Sequence, residues 1–374
     1  MKSFKFRAPS GVLVRQIMSI VTIISVLVLG ITIIISGFFP LKYLLVAIVC
    51  LILVESAILA LLLKGASNKT ASIIGYVVSI IVILVSMGGI YAITNSLSLI
   101  NRVSANSTVS KKEIDNSKSF NVYISGIDTY GDISTVSRSD VNIVATINPA
   151  TKRILLTTIP RDSYVPIAGG GNNQLDKLTH SGIYGIDASM QSVSSLLNTK
   201  IDNYIRINFS SFMNVVDGIG GITVSNPVTF TTDGGQVFKQ GDIYLNGEDA
   251  LTFSRERHNL DGGDNDRGKN QERVITAILH KLMSPGVIYH YQNVMSVIGD
   301  SVQTNISSKS ITELISSQID SGSAWTIEST AITGKGQTGG LPSYAMPGSQ
   351  LYMFVIDPVS LQQAKNRINA ALNN

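Results

Sequence analysis

Asn121-Val122-Tyr123-Ile124-Ser125-Gly126-Ile127-Asp128 is a run of β-branched and aromatic residues that stops on a carboxylate. Two more runs of the same kind follow: residues 141–147, ending at Asn148-Pro149, and residues 154–159, ending at Pro160-Arg161-Asp162. Their length and β-branched content suit strands buried in a sheet. Beyond them the pattern changes to helical spacing, with Met190, Val193, Leu196 and Leu197 sharing a face over residues 187–198. Residues 204–209 read as another strand and residues 210–216 as a helix opening on Ser210; Gly220-Gly221 then turns the chain into Ile222-Thr223-Val224. Residues 250–255 and 271–283 are again helical in pattern. Interleaved strands and helices predict an α/β or α+β fold, a mixed sheet with helices on both faces.

Toward the N terminus the character is different. Residues 17–39, 43–63 and 73–93 are apolar, interrupted only by Glu55, and each is long enough to cross about 30 Å of hydrocarbon as a helix. Lys and Arg are retained on the cytoplasmic side of such spans. Lys2, Lys5, Arg7 and Arg15 precede the first span and Lys64 and Lys69 lie in the second connection, whereas the first connection has only Lys42. The N terminus is therefore expected inside and the chain beyond residue 94 outside. The resulting organisation is a cytoplasmic tail (1–16), a three-span membrane anchor (17–94), a tether (95–119), polar and flexible from residue 101 onward, and an extracytoplasmic domain (120–374). Two further spans follow the first, which argues against a cleaved signal peptide. Glu55 has no evident partner in the other spans and reads as a helix-packing position. Cys50, the single cysteine, lies in the anchor, so the outer domain holds no disulfide and no cysteine metal site.

Net charge divides the same way. Residues 1–118 carry 11 Lys and Arg against 3 Asp and Glu, and residues 119–374 carry 18 against 22. The basic character belongs to the anchor and tether, and an acidic outer domain is a poor nucleic-acid binder.

Charged residues collect at the ends of the apolar runs. Asp128 follows the first strand, Arg138-Ser139-Asp140 precedes the second, and Arg161-Asp162 leave the third; if the first two strands are antiparallel neighbours, their charged ends meet. Arg255, Arg257, Arg267 and Gln271 come later in the chain. Planar guanidinium groups grip phosphate through paired hydrogen bonds, and Asp128 with Asp140 could share a Mg²⁺ completed by water and phosphate oxygens. Each element alone has a plainer reading: an Asp at a strand end is commonly a turn residue, and Arg255 and Arg257 could pair with Glu256, Glu248 or Asp249 on a solvated face. Residues 261–266 are acidic but lack the spacing of a calcium loop. His180 and His258 lack a second ligand at helical spacing and read as core or surface residues. Nucleophile-elbow, phosphate-loop and dinucleotide fingerprints are all missing from the sequence.

In order, Ser125-Gly126-Ile127-Asp128, Arg138-Ser139-Asp140, Pro160-Arg161-Asp162, Lys177-Leu178-Thr179-His180, Arg255-x-Arg257 and Gly263-Asp264-Asn265-Asp266-Arg267 with Gln271 resemble the motifs of the LytR-CpsA-Psr family. The three spans resemble its capsule and exopolysaccharide branch. The resemblance implies a phosphotransferase of a Gram-positive cell surface that moves a glycan phosphate from an undecaprenyl diphosphate carrier to peptidoglycan, with the polysaccharide synthesis machinery as a further candidate partner. It implies Mg²⁺ on Asp128 and Asp140, and a diphosphate gripped by Arg138, Arg161, Arg255, Arg257 and Arg267 with Lys177 and Gln271 at the rim. Arg138, Arg161, Arg267 and Asp140 are then the catalytic candidates, and Asp162 and Asp266 orient arginines. Many members of the family have Arg immediately before the Gln; here Asn270 stands there, with Lys269 or Arg273 as replacements. The carrier's lipid requires an apolar wall, for which Phe209, Phe212, Met213 and Val216 are candidates. A lipid diphosphate hydrolase and a non-enzymatic regulator of polysaccharide synthesis are the alternatives.

Overall fold

The computed structural model describes residues 11–64, 68–105, 110–284 and 302–373. Three helices open it: α1 (Gly11–Ser36), α2 (Leu41–Lys64) and α3 (Lys69–Ala105). All three are long and apolar enough to cross a membrane, and they carry exposed apolar side chains such as Ile35 (75 % exposed) and Leu41 (69 %). That is the pattern of a surface solvated by lipid. Both carboxylate oxygens of Glu55 are shielded and lack a hydrogen-bond partner.

The chain divides into two compact units, residues 1–98 with 312–322 and residues 99–311 with 323–374. The second is built on a six-stranded sheet of β1 (Phe120–Ile127), β2 (Ser139–Asn148), β3 (Arg153–Thr158), β6 (Asn203–Asn208), β11 (Gln303–Thr304) and β12 (Thr326–Ala331) in the order β11-β6-β1-β2-β3-β12. The sheet is mixed: β1, β2 and β3 are successively antiparallel, while β6 runs parallel to β1 and β12 parallel to β3. Short pairs surround it, including β4 (Tyr164–Ile167) with β5 (Gln174–Lys177), β7 (Ile222–Asn226) with β10 (Gly241–Leu245), and β13 (Gly334–Thr338) with β14 (Tyr352–Ile356).

Helices cover both faces, which is why the central strands carry apolar residues on both sides, with Asn121, Ser125, Asn142 and Thr146 as buried polar exceptions. On one face Tyr123, Val144, Leu155 and Tyr204 meet Met190 and Val193 of α4 (Ile186–Leu197) and Ile368 of the closing helix Pro358–Asn373. On the other, Ile143, Ala145, Ile154 and Leu156 meet Ile275 and Leu279 of α7 (Asp264–Leu282). A separate core joins Phe212 and Val216 of α5 (Phe209–Gly218) to Phe253 of α6 (Gly247–Arg255), Phe230 and Phe238. Asn208 and Asn246 start α5 and α6 by accepting the N–H of Ser211 and Asp249.

Two expectations need correction. Residues 110–119 are not a flexible tether: Ile114 is 7 % exposed, packs with Val122 and Ile306, and donates its N–H to Ser310 Oγ at 2.8 Å. A single apolar side chain anchors this segment, too sparse a signal to show in a polar stretch. Helix α7 starts at Asp264 rather than at residue 271, so Asp266 and Arg267 stand on its first turns, where carboxylates favour the helix dipole.

Candidate active site

Register brings the first charged residues together. Gly126 of β1 faces Val141 and Ile127 faces Ser139, so Asp140 is an extra residue bulged out of β2. Asp128, one step past β1, meets Arg138, one step before β2, and the two form an ion pair. The expected meeting of charged strand ends therefore occurs. Ser137 Oγ donates to the other oxygen of Asp128 at 2.5 Å. Burial pushes the Asp128 carboxyl up, but the hydrogen bonds from Ser137 and Arg138 outweigh it and hold the group below its ordinary value. Behind the bulge, Ser125 Oγ and Tyr123 OH reach Ser139 Oγ at 2.8 and 3.1 Å. Burial drives the Tyr123 phenol up to about 12, so it remains a neutral partner.

A second chain of charges begins at the bulge. Asp140 accepts from Arg161 Nη1 at 2.6 Å and from Thr179 Oγ1 at 3.0 Å. Arg161 Nε lies 3.6 Å from Asp162, whose other oxygen takes Lys177 Nζ at 2.9 Å. Asp162 thus lies between the two cations. The N–H of Thr179 bonds the Arg161 carbonyl at 2.8 Å, fixing the loop after β3 against the segment that follows β5. Asp176, 1 % exposed, braces that segment by accepting from His180 Nδ1, Ser343 Oγ and the Ala345 N–H. His180 is accordingly a buried structural residue.

Asp140, Arg161, Arg267, Lys269 and Gln271 line one cavity of about 170 Å³ together with Thr158 and residues 331–333 at the end of β12. Three cations surround a single carboxylate there. The structure thus gathers four of the candidate residues, Asp140, Arg161, Arg267 and Gln271, from β2, the β3 exit and α7. Lys269 lines the cavity and Asn270 does not: Asn270 is buried, donates to the Phe253 carbonyl and accepts from Arg273 at 2.8 Å.

Other candidates lie elsewhere. Asp266 holds Lys269 at 2.8 Å and the Gly262 N–H at 2.9 Å, so it orients a lysine rather than an arginine. Arg255 stacks on the Phe209 ring at 4.4 Å, and Arg257 Nε donates to His258 Nε2 at 3.1 Å. Neither side chain pairs with Glu256, Glu248 or Asp249, the partners a solvated helix face would give, although the Arg257 N–H donates to Glu256 Oε1 at 2.8 Å. None of Phe209, Phe212, Met213 and Val216 lines the cavity. Phe212 and Val216 are buried in the core between α5 and α6, and Phe209 lies beneath Arg255. Ser137 and Thr179 are the site residues that the sequence left without a role, although Thr179 lies within a recognised motif.

Among the described residues no three His, Cys, Asp or Glu side chains are placed to share a metal ion. Asp128 and Asp140 nevertheless offer hard carboxylate oxygens, and Mg²⁺ needs only one or two of these when water and phosphate complete its shell. The donor chemistry fits that ion.

Residues 89–367, which include every charged group just described, match the family model of the LytR_cpsA_psr family. The chain belongs to this family. Among similar proteins, a polyisoprenyl-teichoic acid–peptidoglycan teichoic acid transferase TagU of Enterococcus faecalis is 35 % identical over 242 residues, 63 % of this chain and 78 % of that protein. The protein of the same name from Oceanobacillus iheyensis is 32 % identical over 283 residues, 71 % of this chain and 85 % of that protein. Crystal structures of Bacillus subtilis TagV (TM-score 0.57, 28 % identity, 69 % of this chain and 98 % of that one) and of TagT bound to LI-WTA (TM-score 0.54, 27 % identity, 73 % and 97 %) share the fold. In this LytR_cpsA_psr member the mixed sheet serves as a frame that presents strand ends and the first turns of α7 to one cavity.

Proposed function

We propose that this chain transfers a glycan phosphate from an undecaprenyl diphosphate carrier to a peptidoglycan hydroxyl, with its N terminus cytoplasmic and its folded unit outside the membrane. The cavity carries the reading: Arg161, Arg267 and Lys269 stand around Asp140 in a family whose relatives are named as polyisoprenyl-teichoic acid–peptidoglycan transferases. In the step itself the acceptor oxygen bonds to the glycan-side phosphorus and the bond from that phosphorus to the bridging oxygen breaks. The lipid monophosphate leaves with the electron pair. Charge accumulates on the non-bridging oxygens, where fixed guanidinium donors lower the barrier without a covalent intermediate. Asp140, where it is not committed to the metal, is the carboxylate in the cavity able to take the hydroxyl proton.

Asp128 and Asp140 are the residues that would hold Mg²⁺, which supplies further neutralisation of the diphosphate when bound. Arg138 and Lys177 bind phosphate from the rim, Arg255 and Arg257 engage the donor beyond it, and the half-buried Phe209 and Met213 offer the lipid apolar surface there, whereas Phe212 and Val216 serve the core behind them. The polymer is a capsular or exopolysaccharide, or another wall polymer such as the teichoic acid named for the relatives.

The test uses the full-length chain in detergent with Mg²⁺ and a lipid-diphosphate-linked glycan, with and without peptidoglycan oligomers. Glycan joined to the oligomer through phosphate is the expected product. Lipid diphosphate cleavage at the same rate with and without acceptor would establish a hydrolase instead.

A further inference from the structure

A second groove, of about 400 Å³, lies between α7 and the edge strand β12 and shares Lys269 with the cavity of the active site. Its polar lining is Lys269, Glu272, Arg273, Thr276, Glu328 and Ser329. The volume lies within the ~300–1,000 Å³ typical of ligand sites. Glu272 is only 9 % exposed, and its Oε1 is shielded from solvent without a hydrogen-bond partner. The neighbouring charges are placed differently: Lys269 holds Asp266, Arg273 holds Asn270, and Glu328 is bonded by Arg153 and Arg367. Leaving a buried acceptor unmade costs about 1–3 kcal/mol. Rotation of the Glu272 carboxylate toward the groove lets a ligand bringing an O–H or amide N–H donor remove that penalty.

Charge separates the two sites. The cavity sets three cations against one carboxylate and suits an anion, whereas the groove sets Lys269 and Arg273 against Glu272 and Glu328 and has no net charge. A polyphosphate gains nothing in the groove over solution, while a neutral ligand with many hydroxyls finds both donors and acceptors. Because Lys269 belongs to both linings, a ligand in the groove presents its end to the diphosphate.

We propose that this groove between α7 and β12 binds the acceptor, a neutral glycan strand bearing hydroxyl and acetamido groups, with Glu272 accepting one of its donors. The inference rests on the transferase reading and names where its second substrate sits. Steady-state transfer by the full-length chain in detergent tests it, with donor and peptidoglycan glycan oligomers varied separately and chitotetraose added as competitor. Glu272→Met removes the acceptor atom at similar size, and Thr276→Phe fills the groove.

Both variants are expected to raise the acceptor KM about tenfold, the ~1.4 kcal/mol expected for a lost hydrogen bond to a charged group. Donor KM and the rate at saturating acceptor stay unchanged in Glu272→Met, and chitotetraose competes with the acceptor in the wild type. The melting temperature of Glu272→Met is not lowered, because a buried orphan oxygen is lost; a merely structural glutamate would lower it. Acceptor KM within twofold of wild type in both variants overturns the inference while leaving the transferase reading intact. So does a rise in donor KM alone, which would seat the donor's own sugar in the groove, or competition by a free stem peptide but not by chitotetraose. Failure of the wild type to transfer to any acceptor overturns the transferase reading and the inference together.

Discussion

Replacing Arg161 with alanine tests whether the cavity neutralises phosphate. Arg161 gives Asp140 one of its two donors, at 2.6 Å, and lies 3.6 Å from Asp162, so its guanidinium is held from both sides. Its side chain is 19 % exposed, low enough to keep the charge from full solvent screening. Losing one fixed donor to charge that develops in a transition state costs ~2.7–4 kcal/mol, about 10²–10³ in kcat. The fold should suffer less. Asp162 keeps Lys177 at 2.9 Å and Asp140 keeps Thr179 at 3.0 Å, and partly exposed ion pairs contribute only about 0–1 kcal/mol. Arg161→Lys restores the charge without the planar fork that reaches two carboxylates, and should fall about tenfold short of wild type. The assay is initial-rate transfer from a lipid-diphosphate-linked glycan by purified full-length chain, with the melting temperature measured on the same preparations. Arg161→Ala with a kcat within threefold of wild type and an unchanged melting temperature would refute the assignment of Arg161 to the transferring phosphate.

Chelation should stop transfer, and Asp128→Asn should raise the Mg²⁺ concentration needed for half-maximal rate about tenfold or more; a rate indifferent to EDTA removes the metal from the scheme. Asp176 has a folded-state carboxyl value below its ordinary one: burial raises it, but hydrogen bonds from His180, Ala345, Ser343 and Lys177 more than compensate. Its stabilisation is thus complete above the ordinary carboxylate value of about 4 and is lost as pH falls through the lower folded value; hydrogen exchange at the Ala345 amide should be accelerated by Asp176→Asn at pH 7, with the difference from wild type vanishing in acid. A methyl group on Gly182 would come within 2.4 Å of the Ser137 carbonyl oxygen and 2.6 Å of the Ser139 nitrogen, so Gly182→Ala should displace Arg138 and lower both stability, by ~1–3 kcal/mol, and transfer; full activity would show that the Arg138 loop tolerates displacement. For topology, Val359, 63 % exposed, changed to cysteine in a Cys50→Ala background should react with an impermeant thiol reagent on intact cells, and labelling only after lysis would reverse the assigned orientation.

What the sequence could reveal depended on whether the signal was local. Strands β1, β2 and β3 were legible because both faces of the sheet are covered, leaving Ile143, Val144, Ala145 and Leu156 almost no exposure and the runs predominantly apolar. Asp128 and Arg138 were legible as a pair because an antiparallel connection converts proximity in sequence into proximity in space. The start of α7 was hidden: Asp264, Asn265, Asp266 and Gly268 have poor helix propensity, and only their place at the N-terminal end of the helix makes them acceptable. Asp266 holds Lys269 for a related reason, since on a helix its neighbour three residues on is Lys269. The cavity wall at the end of β12 had no signal at all. It exists because β12 crosses to pair in parallel with β3, separated from it by some 170 residues of chain, and no local pattern encodes such a partner. The chemistry therefore reads from the strand ends, whereas the shape of the site, including the groove beside Lys269, depends on β12, a strand to which the sequence gives no local signal.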